Sequence, residues 1–137
     1  MAQAPETLVQ AFPRAEVLAR LEPAALIATG LIGIRAEAII QVAQEVATGR
    51  IVLEPLVPLE PTLAALRRIR GIGEWTVQYI AMRALGWPNA FVQGDAVLKK
   101  YLGCATTAQL DEQANRWAPW RAYAVVHLWR LSEEAKQ

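Results

Sequence analysis

Residues 65–87 read ALRRIRGIGEWTVQYIAMRALGW, and within them Gly71 and Gly73 stand one residue apart between two runs of helical spacing. A helix does not pass cheaply through two such glycines, each of which costs about 1 kcal/mol relative to alanine in a helix interior. The stretch therefore reads as two helices joined by a turn of a few residues, which forces them into a hairpin. Both glycines lack a Cβ, so both can take positive φ and leave the turn's amides uncovered.

The rest of the chain is read as helical as well. Alanine, leucine and isoleucine recur at three- and four-residue spacings, and no segment alternates with period two between hairpin turns. The fold class is all-α. Punctuation predicts a short helix around Glu6 to Ala11, one from Arg14 to Leu21, one opened by Pro23, and a longer one from about Ile34 to Ala47, with Gly49 just past its end. The stretch IVLEPLVPLEP is an extended connection, and Pro61 starts the first helix of the hairpin, which runs to about Ile69. The second runs from Glu74 to about Leu85. GWPNAFVQGD is a Gly- and Pro-containing loop, a short helix follows from Asp95 to Tyr101, Thr107 caps the next, and Pro119 lies in the first turn of a last helix ending near Leu131. At 137 residues the chain is read as a single helical domain, with the hairpin at about 61–85 and the loop and its aspartate at about 86–95.

Composition narrows the function. A net charge of +1 is not that of a strongly basic nucleic-acid binder, so any basic surface must be local. Arg67, Arg68 and Arg70 crowd the hairpin turn and supply one. Together with amides at the N-terminus of the second helix they suit a phosphate backbone contacted without reading sequence. A tight packing corner is the other reading of a bare Gly-x-Gly between helices. The single cysteine, Cys104, excludes an internal disulfide and is read as a buried structural thiol. No apolar run approaches the roughly 18 residues of a membrane span, which leads us to expect a soluble, cytoplasmic protein with no membrane partner.

From Leu66 to Leu102 the residues carry more. The hairpin Leu66-x-x-Ile69-x-Gly71-Ile72-Gly73, then Trp75-Thr76, Tyr79, the loop and Asp95 resemble the helix-hairpin-helix DNA glycosylases. The last helix, in RWAPWRAYAVVHLW, resembles their alkylation-repair branch, the DNA-3-methyladenine glycosylase II enzymes, including Trp129. The resemblance implies hydrolysis of the N-glycosidic bond of alkylated bases in double-stranded DNA, with no cofactor required. It places Arg70, Gly71, Ile72, Gly73 and Thr76 against DNA, and the backbone carbonyls of Ile69 and Gly71 on a monovalent cation, sodium or potassium.

These residue types suit that chemistry. A base alkylated on a ring nitrogen is a flat cation and a good leaving group, and reaching it requires flipping the nucleotide out of the duplex. Electron-rich ring faces hold such a cation, each contact contributing about 0.5 to 2 kcal/mol. Trp75 and Tyr79 lie four apart on one helix face, and the resemblance brings Trp129 beside them. All three are also readable as core aromatics, a reading that fits Trp117 and Trp120 better; Trp87 is left unassigned. Asp95 is the candidate catalytic carboxylate, able to stabilise a sugar cation and orient water, and is also the cap of the following helix. Bifunctional enzymes of the superfamily carry a lysine two residues after the second hairpin glycine; Trp75 stands there, which implies a monofunctional enzyme. His127 is read as packed or capping, and Asp111, Glu112 and Glu74 as solvated.

The chain departs from the family in carrying Gln93 and Gly94 before Asp95, and in showing neither an N-terminal α/β domain nor an early helix before the region of Phe12. We therefore expect an incomplete glycosylase domain lacking an N-terminal portion, with excision by the chain alone weak or absent although its hairpin still binds DNA. Its apolar helix faces and a mean hydropathy of +0.19 predict self-association as a homodimer. A non-catalytic DNA-binding hairpin module is the alternative function.

Overall fold

The computed structural model describes residues 11–136, and among them there are eight helices and no strand. They fall into two compact units, one ending at Arg50 and the other beginning at Ile51. The all-α class expected from the spacing is the one observed.

In the first unit, α1 (Ala15–Leu18) and α2 (Pro23–Ile27) both pack on α3 (Gly33–Ala47). α1 stops short of Leu21, its end tightening into turns in which the Arg20 and Leu21 amides donate to the Val17 and Leu18 carbonyls; Glu22, before Pro23, is extended, with φ −79 and ψ 145, as proline favours for the residue preceding it. α3 ends at a left-handed Gly49, φ +72; the Gly49 amide donates to the Val46 carbonyl and the Arg50 amide to the Glu45 carbonyl. That pair of bonds satisfies carbonyls the helix would otherwise leave open. Of the helix expected around Glu6 to Ala11, residues 6–10 lie outside the described residues and Ala11 is not helical.

The second unit holds the hairpin, α4 (Leu59–Arg67) and α5 (Glu74–Arg83), then α6 (Ala96–Leu102), α7 (Thr107–Asn115) and α8 (Arg121–Glu134). α4 starts two residues before Pro61, which is accommodated because an N–H in the first turn has no intrahelical partner to lose. Leu63, Leu66, Val77 and Ala81 bury the hairpin's inner faces. Phe91, Val92, Leu98, Cys104, Leu110, Ala114 and Val125 form one cluster in which the loop before Asp95 meets α6, α7 and α8. The loop is thus held by two apolar residues of its own, each burial contributing roughly 1.5 to 3 kcal/mol.

The ends of α7 and α8 differ from expectation as well. The cap of α7 is Thr106, not Thr107: its hydroxyl accepts from the Gln109 amide while the Gln109 side chain accepts from the Thr106 amide, and only a residue three before Gln109 can close that reciprocal pair. Pro119 lies outside α8, whose N-cap is Trp120, and the helix continues to Glu134, which accepts from Arg130 Nε at 2.9 Å. Thr106→Ala should therefore cost about 1 kcal/mol in urea unfolding and Thr107→Ala less than about 0.5 kcal/mol; equal losses would remove the capping assignment.

Candidate functional site

The hairpin turn divides its work unequally between the glycines. Gly71 has φ +89, a conformation that side chains disfavour, whereas Gly73 has φ −90 and ψ 171, ordinary extended backbone that any residue adopts. Of the two glycines free to take positive φ, only Gly71 does so. A Cβ added at Gly73 would meet nothing within 4 Å, so the fold itself does not require glycine there. As N-cap of α5 it offers no side chain to cover the amides of the first turn. Ile72, half-buried, donates its amide to the Ile69 carbonyl at 3.1 Å and so closes the turn.

The three arginines also separate. Arg67 donates from Nε and Nη2 to the two oxygens of Glu74 at 2.8 and 2.9 Å, so its charge is already answered, and Arg68 Nε donates to the Ala64 carbonyl at 3.3 Å. Arg70 is exposed, and among the described residues no partner takes its guanidinium. Glu74, read as solvated, is instead clamped between Arg67 and Gln78, whose Nε2 donates to Oε1 at 2.9 Å. The Arg67 hydrogen bond holds the Glu74 carboxyl below the ordinary glutamate value; partial burial opposes that, and the Gln78 bond adds to it.

One turn further along α5 the aromatic residues gather. Trp75 and Tyr79 stack with ring centroids 5.2 Å apart and planes 10° from parallel, and Trp129 on α8 lies 6.3 Å from the first and 6.2 Å from the second. Trp75 and Tyr79 keep 38% and 37% of their surface exposed, so both residues remain accessible from solvent. Asp95 is 6% exposed beside them. Its Oδ1 accepts from the Leu98 amide at 2.8 Å and from Trp129 Nε1 at 3.1 Å, and its Oδ2 accepts from Trp75 Nε1 at 3.0 Å. An ionised carboxylate only accepts, and here three N–H groups converge on it. The structure thus brings together Asp95, Trp75, Tyr79 and Trp129. Thr76 lies half-buried on α5 between Trp75 and Val77.

Compared with known proteins, the chain matches no family model. It is 36% identical over 118 residues to DNA-3-methyladenine glycosylase 2 of Escherichia coli, covering 86% of this chain and 42% of that protein. It is 33% identical over 129 residues to a DNA-3-methyladenine glycosylase of Bacillus subtilis, covering 88% and 43%. A probable bifunctional transcriptional activator/DNA repair enzyme of Mycobacterium tuberculosis is 35% identical over 130 residues, covering 92% and 26%. Over these residues the chain belongs to the DNA-3-methyladenine glycosylase family. It spans less than half the length of each of these relatives.

Several residues are placed differently from their sequence reading. His127 is exposed and neither packed nor capping; it borders an open groove of about 430 Å³ with Met82, Arg83, Trp87, Tyr123 and Val126. Trp120 is exposed and meets Tyr123 edge-on at 5.9 Å, because it caps α8 instead of lying within it. Trp117 does pack on the core, edge-on to Phe91 at 6.3 Å. Asp111 is not solvated throughout: its Oδ1 is buried with no hydrogen-bond partner among the described residues. Cys104 is buried as expected. Among the described residues no three His, Cys, Asp or Glu side chains gather as metal ligands, and no helix is long and apolar enough to cross a membrane.

Sequence reasoning missed Gln78 and Arg121. Gln78 Oε1 accepts from the Phe91 amide at 3.1 Å, and Arg121 Nε donates to the Asn89 carbonyl and side chain at 3.1 and 2.8 Å while its guanidinium lies 5.7 Å from the Phe91 ring centroid. The four-residue spacing of Glu74 and Gln78 was a visible signal for one of these bonds; nothing in the sequence pointed to the Phe91 amide. A lowered folded-state value means that Glu74 stabilises the fold above the ordinary carboxylate range and loses that contribution as pH falls through its own titration. For a pair this exposed the contribution is about 0 to 1 kcal/mol. Arg67→Met should move the Glu74 titration upward, as followed by carboxyl NMR, and flatten the acid limb of stability; an unmoved titration would show that the clamp does not form.

Proposed function

We propose that this chain carries the base-excising site of a DNA-3-methyladenine glycosylase, hydrolysing the N-glycosidic bond of alkylated bases in double-stranded DNA. The observation that carries the reading is a buried aspartate holding two tryptophan indoles by their N–H edges beside a stacked Trp–Tyr pair. With their edges committed to Asp95, the rings are held in place, and the exposed ring surface offers negative potential to a cationic base. Membership of the glycosylase family supports the same reading.

In the proposed mechanism the hairpin takes the phosphate backbone through the first-turn amides of α5 and through Arg70, contacts that carry no sequence information. Gly73, without a side chain, lets the backbone come close. The flipped base stacks on the aromatic cluster, its positive charge making it a ready leaving group. As the glycosidic bond lengthens, the sugar develops oxocarbenium character, which the Asp95 carboxylate stabilises while orienting the attacking water. The products are free base and an abasic sugar. Trp75 stands where bifunctional enzymes of the superfamily have lysine, so no amine attacks the sugar and the strand is left intact. The Ile69 and Gly71 carbonyls are the proposed ligands of a sodium or potassium ion; the Ile69 oxygen already accepts from Ile72, and a carbonyl's second lone pair remains for an ion. Such an ion would add positive charge at the phosphate seat. Self-association as a dimer would cover exposed apolar surface such as Trp120, Tyr123 and Val126.

The second reading is a DNA-binding hairpin module within a larger regulatory protein, favoured by the similarity to a relative named as both transcriptional activator and repair enzyme. Two measurements separate the readings. Asp95→Asn keeps a residue able to cap α6, and should slow release of methylated base at least about a hundredfold. DNA affinity should be unchanged or slightly raised, and borohydride during turnover of the unaltered protein should trap no adduct. Release within a few-fold of the unaltered protein would remove Asp95 from catalysis. Gly73→Ala, which meets no obstacle within the chain, should leave unfolding stability within about 0.5 kcal/mol yet weaken binding to all duplexes by a similar factor; a loss that depended on sequence or lesion would mean that the hairpin reads bases.

A further inference from the structure

We infer that Gln78 is a positioning residue that ties the loop carrying Asp95 to the hairpin, so that the turn which takes the phosphate backbone also sets the loop before the carboxylate; this rests on the function proposed for those two elements. A continuous run of polar contacts joins them. Arg67 at the end of α4 grips Glu74 at the start of α5, Gln78 one turn on donates to Glu74 Oε1 at 2.9 Å, and Gln78 Oε1 accepts from the Phe91 amide at 3.1 Å. Phe91 is 3% exposed and lies four residues before Asp95.

The chemistry at position 78 admits few alternatives. One neighbour is a carboxylate, which only accepts, and the other is a backbone N–H, which only donates. Only a side chain with both a donor and an acceptor serves both, and this also settles which amide atom faces which neighbour. Among the described residues it is the only side-chain hydrogen bond from α5 to residues 88–94.

The loop needs such an anchor because its own backbone bonds are local. Ala90 donates to Trp87, Gln93 to Phe91 and Asp95 to Val92, at 3.2, 3.1 and 3.3 Å, so they shape turns without fixing where the turns sit. Position comes from two sides: α8 holds Pro88 and Asn89 through the Ala122 amide and Arg121, and α5 holds Trp87 through the Ala81 carbonyl, Asp95 through Trp75, and the middle of the loop, at Phe91, through Gln78. Removing Gln78 leaves the α8 anchor intact and a buried N–H unsatisfied next to the segment that aims Asp95.

The test compares the unaltered chain with Gln78→Met, which keeps the length of the side chain and removes both polar groups. Amide hydrogen exchange should speed at least about tenfold at Phe91 and in the residues up to Asp95, with amides around Val125 on α8 within about twofold. Single-turnover release of methylated base should slow about tenfold or more while the DNA dissociation constant stays within about twofold, a split that general loosening of the fold would not give. Gln78→Glu alone sets two carboxylates side by side and should be as slow. The Glu74→Gln/Gln78→Glu double variant returns a donor at 74 and an acceptor at 78, and should recover exchange and release to within about threefold. Unchanged exchange at Phe91, a loss of DNA affinity as large as the loss of rate, or a double variant no better than Gln78→Glu would each overturn the inference. If the unaltered chain releases no base, as an incomplete domain would not, the exchange at Phe91 decides by itself whether Gln78 anchors the loop.

Discussion

A single buried carboxylate organises the functional half of this protein. Asp95 caps α6 through the Leu98 amide, reaches α5 through Trp75 and reaches α8 through Trp129, so three helices meet on two oxygens. Burying a carboxylate is costly unless its lone pairs are answered, and here three N–H donors answer them. The same bonds decide how the aromatic rings stand. An indole held by its N–H edge cannot turn that edge toward a ligand, so the faces are what remain to offer, and faces are what a flat cation requires.

The hairpin gives a nearly neutral chain a local positive surface, the seat proposed for phosphate. With a net charge of +1, and with Arg67 already bonded to Glu74, the turn's free positive charge is carried by Arg70 and by the uncapped amides of α5. Backbone amides keep their direction whatever the sequence of a bound strand, which suits the sequence-independent contact proposed for the hairpin. The two glycines serve different masters. Gly71 answers a demand of the turn, whose φ of +89 disfavours a side chain; at Gly73 a Cβ would meet nothing within 4 Å among the described residues, and the close approach of a phosphate backbone is the use proposed for it.

The Arg67–Glu74–Gln78–Phe91 run gives the two elements a common frame. A loop of ten residues without regular structure has many conformations to lose, and the protein restricts it from both flanks, by Arg121 of α8 and by Gln78 of α5. The core adds the rest, since Phe91 and Val92 belong to the same apolar cluster as Leu98 and Val125. Anchors on two helices mean that Asp95 moves only if the helices move, which is the rigidity electrostatic stabilisation of a transition state depends on.

The all-α class, the hairpin, the loop and the cap at Asp95 were legible in the sequence because each rests on local rules: three- and four-residue spacing, glycine in a turn, aspartate before an apolar helix. The grouping of Trp75 with Tyr79 was legible for the same reason, as a four-residue step along one helix. Trp129 was reached through resemblance, since nothing local to the last helix says which distant ring it meets. Local rules failed where two residues competed for one role, as with Thr106 and Thr107, or where a helix edge shifted by two residues and turned Trp120 outward. What only the tertiary structure decided are the long-range bonds: Trp75 and Trp129 on Asp95, Gln78 on the Phe91 amide, Arg121 on Asn89. Each joins residues 13 to 34 positions apart, a separation at which neither spacing nor composition carries information about contact, and only the packing of the helices brings donor and acceptor within 3.1 Å.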